Sequence, residues 1–336
     1  MKTRFRPFFP PRHAVAITAA VAMAISLGAC GYTPKLVSSP TGGKQPPALS
    51  ETRINALVNE ANQVAAAGDA AKDWQQLAPR FLNPALAMRN GEYRVASVAN
   101  GATVKPLPLA KPQIMTVSQA GSWPRYLFTV SAGAQNEAPQ MFAFVQSQAR
   151  ANYGLWGHVR LFPKAKFPAT FKPEVGSPVV PAKSKELVAN PGAVAATYAK
   201  VLNNPGDSAK NRFDFGADSF VAAYNHRRDS YQQLASKSHG LQVNVNAKPG
   251  AGFVGLGTIS GEALIMAELQ YDVTMKSSRP LNLNPVAQAW VGKNTATSTL
   301  NETHTALVLF KIPKRGHDAK IRALGAAEAV TAMSAD

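Results

Sequence analysis

Residues 155–162 read Leu-Trp-Gly-His-Val-Arg-Leu-Phe. Leu155, Gly157, Val159 and Leu161 alternate with Trp156, His158, Arg160 and Phe162, a period of two that marks a strand with two unlike faces. Two similar runs precede it. Tyr126, Phe128 and Val130 alternate with Leu127 and Thr129, and Gln140 to Val145 form the other. Further upstream the period is helical. Ile54, Leu57, Val58, Ala61 and Val64 share one face, with Ser50 as N-cap and Leu49 and Ile54 as a staple around it. Gly68-Asp69 reads as the stop. A short helical stretch covers Trp74 to Phe81, and Asn83-Pro84 caps another that reaches Asn90-Gly91. Helices first and antiparallel strands after is the order of an α+β domain, not of βαβ units.

The same order restarts downstream. Asn190-Pro191 caps a helix carried by Val194, Tyr198, Val201 and Leu202, and a second holds Phe220, Val221, Tyr224, Tyr231 and Leu234. Strand patterns follow at Leu241–Val245, Leu269–Met275 and His304–Ile312. Phe310-Lys311-Ile312-Pro313-Lys314 echoes Leu161-Phe162-Pro163-Lys164, which suggests a tandem repeat. Between the halves, Pro163, Pro168, Pro173 and Pro178 fall five residues apart, with Pro181 close behind. Prolines at that density exclude helix and interior strand. The expected organisation is a first α+β domain over 51–165, a proline-rich linker over 166–186 and a second α+β domain over 187–336. Phe167, Phe171 and Val175 suggest that the linker lies on a domain surface. This element order resembles the nuclear-transport-factor-2-like and cystatin-like superfamily. The resemblance implies two tandem cone-like domains, each with N-terminal helices packed on a curved antiparallel sheet that leaves a cavity.

The N-terminal thirty residues are of another kind. Lys2, Arg4, Arg6 and Arg12 form a basic head, and Ala14 to Ala29 an apolar run broken by Thr18, Ser26 and Gly28. A basic head, a short apolar run and small residues before a cut site describe a secretory signal over 1–29. The run is short for a membrane span, which takes roughly 20 apolar residues. It ends in Leu27-Gly28-Ala29-Cys30, which carries the single cysteine of the chain. That tetrapeptide resembles the lipobox of bacterial lipoproteins. The resemblance implies lipidation of Cys30, cleavage between Ala29 and Cys30, and a lipid anchor on the extracytoplasmic face of the cell membrane. Residues 30–50 hold four prolines and read as a disordered tether with a reach of about 25 Å. The lipobox, this tether and a C-terminal segment with Ile312-Pro313 and Ile321-Arg322-Ala323-Leu324-Gly325 are together similar to uncharacterised actinobacterial envelope lipoproteins.

The 336 residues carry 36 basic and 19 acidic side chains, a formal charge of +17. Without the four basic leader residues, 32 against 19 leave +13. Such a surface is attracted to anionic lipid headgroups or acidic wall polymers. Export and the lack of aromatic-spaced basic clusters argue against nucleic acid.

Catalytic motifs are missing. Ser-x-x-Lys, Gly-x-Ser-x-Gly and His-Glu-x-x-His do not occur, and no two histidines stand four apart on a helix face. Gly255-Leu256-Gly257-Thr258-Ile259-Ser260-Gly261 has the wrong spacing for a phosphate loop and reads as a twisted or bulged strand pair. The Glu262/Glu268/Asp272 and His226/Arg227/Arg228/Asp229 groupings read as solvated faces. No metal, cofactor or catalytic residue is indicated. Trp156, His158 and Arg160 remain as the candidate ligand face, an aromatic, a titratable group and a cation on one side of a strand. The expected function is a non-catalytic binding or scaffold module that holds another envelope component. The alternatives are a small-ligand carrier for a lipid or glycan-like molecule in a cone cavity, and an envelope enzyme with a dispersed active site.

Overall fold

In the computed structural model, which describes residues 45–98, 104–133, 137–316 and 319–336, Ser50 caps α1 (Glu51–Ala71) by accepting a hydrogen bond from the Arg53 amide. The leader, Ala29, Cys30 and most of the tether lie outside the described residues. Helix α1 runs past Gly68. That glycine is buried, and a Cβ on it would lie 2.4 Å from Leu77 Cδ2. It serves packing, and the helix ends instead at Lys72 in the left-handed region. After a 3-10 turn at Trp74–Leu77 comes α2 (Ala85–Val98), which likewise continues through Gly91.

Four strands follow: β1 (Ile114–Val117), β2 (Arg125–Ser131), β3 (Gln140–Gln146) and β4 (Gly154–Leu161). The second half brings α3 (Val194–Asn203), β5 (Phe213–Asp214), α4 (Ser219–Lys237), β6 (Leu241–Gly257) and β7 (Ala263–Ser277). A small excursion, β8 (Leu281–Asn282), α5 (Pro285–Val291) and β9 (Thr295–Ala296), precedes β10 (Thr299–Ile312) and β11 (Ile321–Ala335). The fold is α+β, as the order of periods predicts. The glycines around 255–261 lie on β6 and in the turn to β7, with Gly261 at φ +78°.

The main sheet runs β1-β2-β3-β4-β11-β10-β7-β6. Neighbours on this path are antiparallel, and β5 adds to β11 in parallel. The halves 51–165 and 187–336, expected as two bodies with a sheet each, therefore share one sheet, and Gln45–Asp336 form one compact unit. The cause is β11. It pairs with β10 along most of its length and with β4 through Gly325–Leu161 and Ala326–Arg160.

Three cores follow from strand alternation. On the outer face of β2–β4, Leu127, Phe142, Phe144 and Leu155 meet Ile54, Leu57 and Val58 of α1. On the outer face of β7 and β10, Ile265, Tyr271, Val308 and Phe310 meet Tyr198, Leu202, Phe220 and Tyr224 of α3 and α4. The inner faces of the two halves meet each other: Phe128, Val130, Met141, Val159 and Leu161 pack with Leu256, Leu264, Met266, Leu307 and Leu309. The sheet is thus bent back on itself, with helices outside both halves.

The proline-rich stretch closes this bend. The Ser177 amide donates to the Val117 carbonyl at 2.8 Å and the Gln119 amide to the Ser177 carbonyl at 3.0 Å. Just beyond it, the Val180 amide donates to the Gly255 carbonyl at 3.1 Å and the Gly257 amide to the Pro178 carbonyl at 2.9 Å. One strap thus satisfies the free edges of both β1 and β6, and Pro178 needs only its carbonyl to do so. Residues 166–186 hold no helix, turn once at 173–175, and stitch the sheet's two edges where the sequence suggests a divider between domains.

Candidate functional site

Strand β4 does not keep the alternation that its sequence suggests. Leu155 pairs with Phe144 and Gly157 with Ala143, so Trp156 is an extra residue, a β-bulge. The bulge moves Trp156 to the inner face, where it packs against the inner core. His158 and Arg160 stay on the outer face, opposite Phe142 and Gln140. The expected trio is therefore split between two cavities, one on each side of α2.

Helix α2 stands where β4 and β11 part. A Cβ on Gly91 would lie 1.9 Å from the Val330 carbonyl oxygen. Met88, on the same helix, is buried in the inner core. Beside the helix lies an outer groove of about 420 Å³. Val95, Ala96, Leu107, Ala329 and Val330 make its apolar walls, His158, Gln140 and Glu328 its polar floor, and Arg160 and Lys105 its cations.

The charges around this groove are unevenly committed. Arg89 is buried, and its guanidinium bonds Asp69, Glu92 and the Lys105 carbonyl. Asp69 also accepts from the Tyr93 hydroxyl at 2.7 Å. Burial raises the Glu92 carboxyl above the usual range, although Arg89 opposes the shift. Glu328 is held by Arg227 and by the Tyr271 hydroxyl at 2.9 Å. Arg160 is different. Its side chain is 49% exposed and its ion partner, Glu137, is 3.9 Å away and also bound by Lys105.

His158 is 8% exposed, and its Nδ1 has no hydrogen-bond partner among the described residues. Burial, then the charges of Arg89 and Arg160, hold its pKa down at about 4. At neutral pH it is an uncharged imidazole able to donate from one nitrogen and accept at the other. Arg89 and Glu92, which shape this groove, escaped the sequence reading because Gly91 between them looks like a helix end.

The second cavity, about 610 Å³, opens from the inner face and is lined by Trp156, Tyr126, Glu268, Gln270 and Thr305, among others. Gly250-Ala251-Gly252 loops out of β6 opposite Glu268, since Pro249 pairs with Leu269 and Phe253 with Ala267. Two glycines inside a strand pattern are a readable sign of such a bulge. The remaining charge groupings are dispersed. Glu262 pairs with Lys311 and Asp272 with Lys248, whereas Arg227 reaches Glu328 and Arg228 the Leu202 carbonyl. No group of three or more His, Cys, Asp or Glu side chains that could hold a metal occurs among the described residues. No described helix is long and apolar enough to cross a membrane.

An α+β body with one bent sheet and two cavities beside a wedged helix defines the class of the molecule. Residues 45–335 match the family model described as a domain of unknown function, DUF8094, and the chain belongs to that family. No curated protein and no solved structure matches it.

Proposed function

We propose that this chain is a lipid-anchored extracytoplasmic binding module that takes a small amphipathic ligand in the groove beside α2. It acts as a binder or carrier without catalysing a reaction. The observation that carries this reading is His158, a buried imidazole with an unpartnered nitrogen on the floor of a 420 Å³ opening. An unpaired buried polar atom costs about 1–3 kcal/mol, and a ligand hydroxyl, amide or carboxyl group would remove that cost. Val95, Leu107 and Val330 suit a hydrocarbon body, and Arg160 with Lys105 suits an anionic head. The Leu27-Gly28-Ala29-Cys30 stretch after a basic leader supports the anchor, and the +13 charge supports attraction to anionic headgroups and acidic wall polymers.

Native mass spectrometry of the full-length chain, solubilised from membranes, tests the ligand. The parent should carry an added small mass that His158→Leu and Arg160→Glu lose without a fall in melting temperature. A parent that stays unliganded even after incubation with total envelope lipid would overturn the reading. The anchor has its own test: Cys30→Ala should move from the membrane to the soluble fraction, and unchanged fractionation would refute it.

A further inference from the structure

The cavity on the inner face combines features that the outer groove lacks. Trp156 and Tyr126 bring aromatic rings to one side of it. Facing strands bring Glu268, Gln270, Thr305 and Thr331. Trp156 is there because the bulge in β4 turned it inward, so its placement depends on a specific local distortion of the strand.

Glu268 is the informative group. It is 5% exposed, and no Lys, Arg or His among the described residues forms an ion pair with it. The Ala251 amide donates to its Oε2 at 3.1 Å and the Gln270 side-chain amide to its Oε1 at 3.2 Å. A carboxylate has about four lone-pair directions, so acceptor capacity remains. The backbone is shaped around this side chain. A Cβ on Gly250 would lie 2.4 Å from Glu268 Cγ, so only glycine lets the loop come close enough for the Ala251 bond. The Thr305 and Thr331 hydroxyls bond each other at 2.8 Å and Thr331 also donates to the Thr303 carbonyl at 3.3 Å, so the pair adds acceptor capacity.

We propose that this cavity binds a neutral saccharide. A pyranose ring presents flat C–H faces that pack on aromatic rings and a rim of hydroxyls that donate to planar carboxylate and amide groups. Trp156 and Tyr126 supply the first need, and Glu268, Gln270 and the paired threonines the second. The 610 Å³ volume lies within the span of about 300–1,000 Å³ for small-molecule sites and leaves room for more than one ring. An aromatic-lined carboxylate could also attract an organic cation. The net positive charge of the chain, +13 without the leader, opposes that approach, and the cavity's hydroxyl and amide groups match a polyol better. This site stands on residues other than those of the α2 groove, so either can fail alone.

The test uses the full-length protein in lauryldimethylamine oxide, a detergent without a sugar headgroup. Maltose, cellobiose and chitobiose are titrated, and binding is read by saturation-transfer NMR on the sugar. At least one should show saturable transfer to its ring protons. Trp156→Leu should abolish it, and Glu268→Gln, which keeps the shape, should weaken it about tenfold. Thr305→Val supplies a second shape-conserving variant, with weaker binding at an unchanged melting temperature. Three results overturn the proposal: no saturable transfer from any of the sugars at millimolar concentration, transfer indifferent to both Glu268→Gln and Thr305→Val, or Glu268-dependent binding of tetramethylammonium without sugar binding.

Discussion

At the scale of single residues, His158 couples the site to stability. Its folded pKa of about 4 lies below the ordinary value of 6.5. The unfolded chain therefore binds a proton in the window between them that the folded chain refuses. Stability rises with pH across that window: this contribution is complete above about 6.5 and is lost as pH falls toward 4. One pKa unit corresponds to about 1.4 kcal/mol, so the loss by pH 5 is on the order of 2 kcal/mol. Urea midpoints at pH 7 and pH 5 should fall further apart for the parent than for His158→Gln. Equal shifts in the two proteins would contradict the assignment. Gly91 has a different role. Its missing Cβ lets α2 stand against the Val330 carbonyl, and a methyl group at 1.9 Å would force the helix off β11. Gly91→Ala should destabilise by about 1–3 kcal/mol, toward the upper end because backbone is the obstacle. An unchanged denaturant midpoint would show that α2 can shift freely. The sequence presents Gly68 and Gly91 as helix stops, since glycine is a poor helix former. Both instead serve contacts with distant residues, Leu77 and Val330, and local pattern cannot encode those partners.

Among elements, the legible ones are those whose own side chains alternate. Strands β2, β6, β7 and β10 and helices α1, α3 and α4 carry periodic apolar residues, and β3 shows as a continuous apolar run. Strand β11 does not announce itself. Its sequence, Ile-Arg-Ala-Leu-Gly-Ala-Ala-Glu-Ala-Val-Thr-Ala-Met-Ser-Ala, is rich in alanine, which favours helix. It is held as a strand by β10 on one side, and α2 packs closely on it where Gly91 meets the Val330 carbonyl. The bulge at Trp156 is invisible for a related reason: it is a property of the pair β3–β4, set by register, and not of β4 alone. The proline strap was half legible. Proline density correctly excludes helix, yet it cannot tell a free linker from a segment bound to two strand edges. Val180→Pro tests that role. It removes the amide that donates to Gly255 and replaces one buried side chain at the edge of the α3–α4 core. Hydrogen exchange should accelerate selectively at the amides of β6 and of β1, with a stability loss of about 1–3 kcal/mol. Uniform exchange across the sheet would mean that the strap does not hold the edges.

For the whole molecule, the shared sheet makes the two halves dependent on each other. The inner core takes Phe128, Val130, Met141, Val159 and Leu161 from the first half and Leu256, Leu264, Met266, Leu307 and Leu309 from the second. Separation would expose five large apolar side chains on each half. Re-exposing one costs about 1.5–3 kcal/mol, so each half loses on the order of 10 kcal/mol. That is comparable to the whole stability of an ordinary domain, about 5–15 kcal/mol. The cut would also leave β4 and β11 without each other and detach α2 from β11. Fragments 45–186 and 187–336 should therefore show no cooperative melting when expressed alone. Co-expressed, they should associate, because the inner core, the β4–β11 seam and the strap can all form between chains. Circular dichroism melts and size-exclusion profiles of each fragment and of the pair decide the matter. Two cooperative transitions from the isolated fragments would mean that each outer core, built on α1 in one half and on α3 and α4 in the other, suffices to fold its own half. The inner cavity with Trp156 and Glu268 would then lie between two independently stable bodies, and its volume would vary with their docking. A single transition restored only on co-expression would fix that cavity as part of the fold itself, held open by the same bend that buries the inner core.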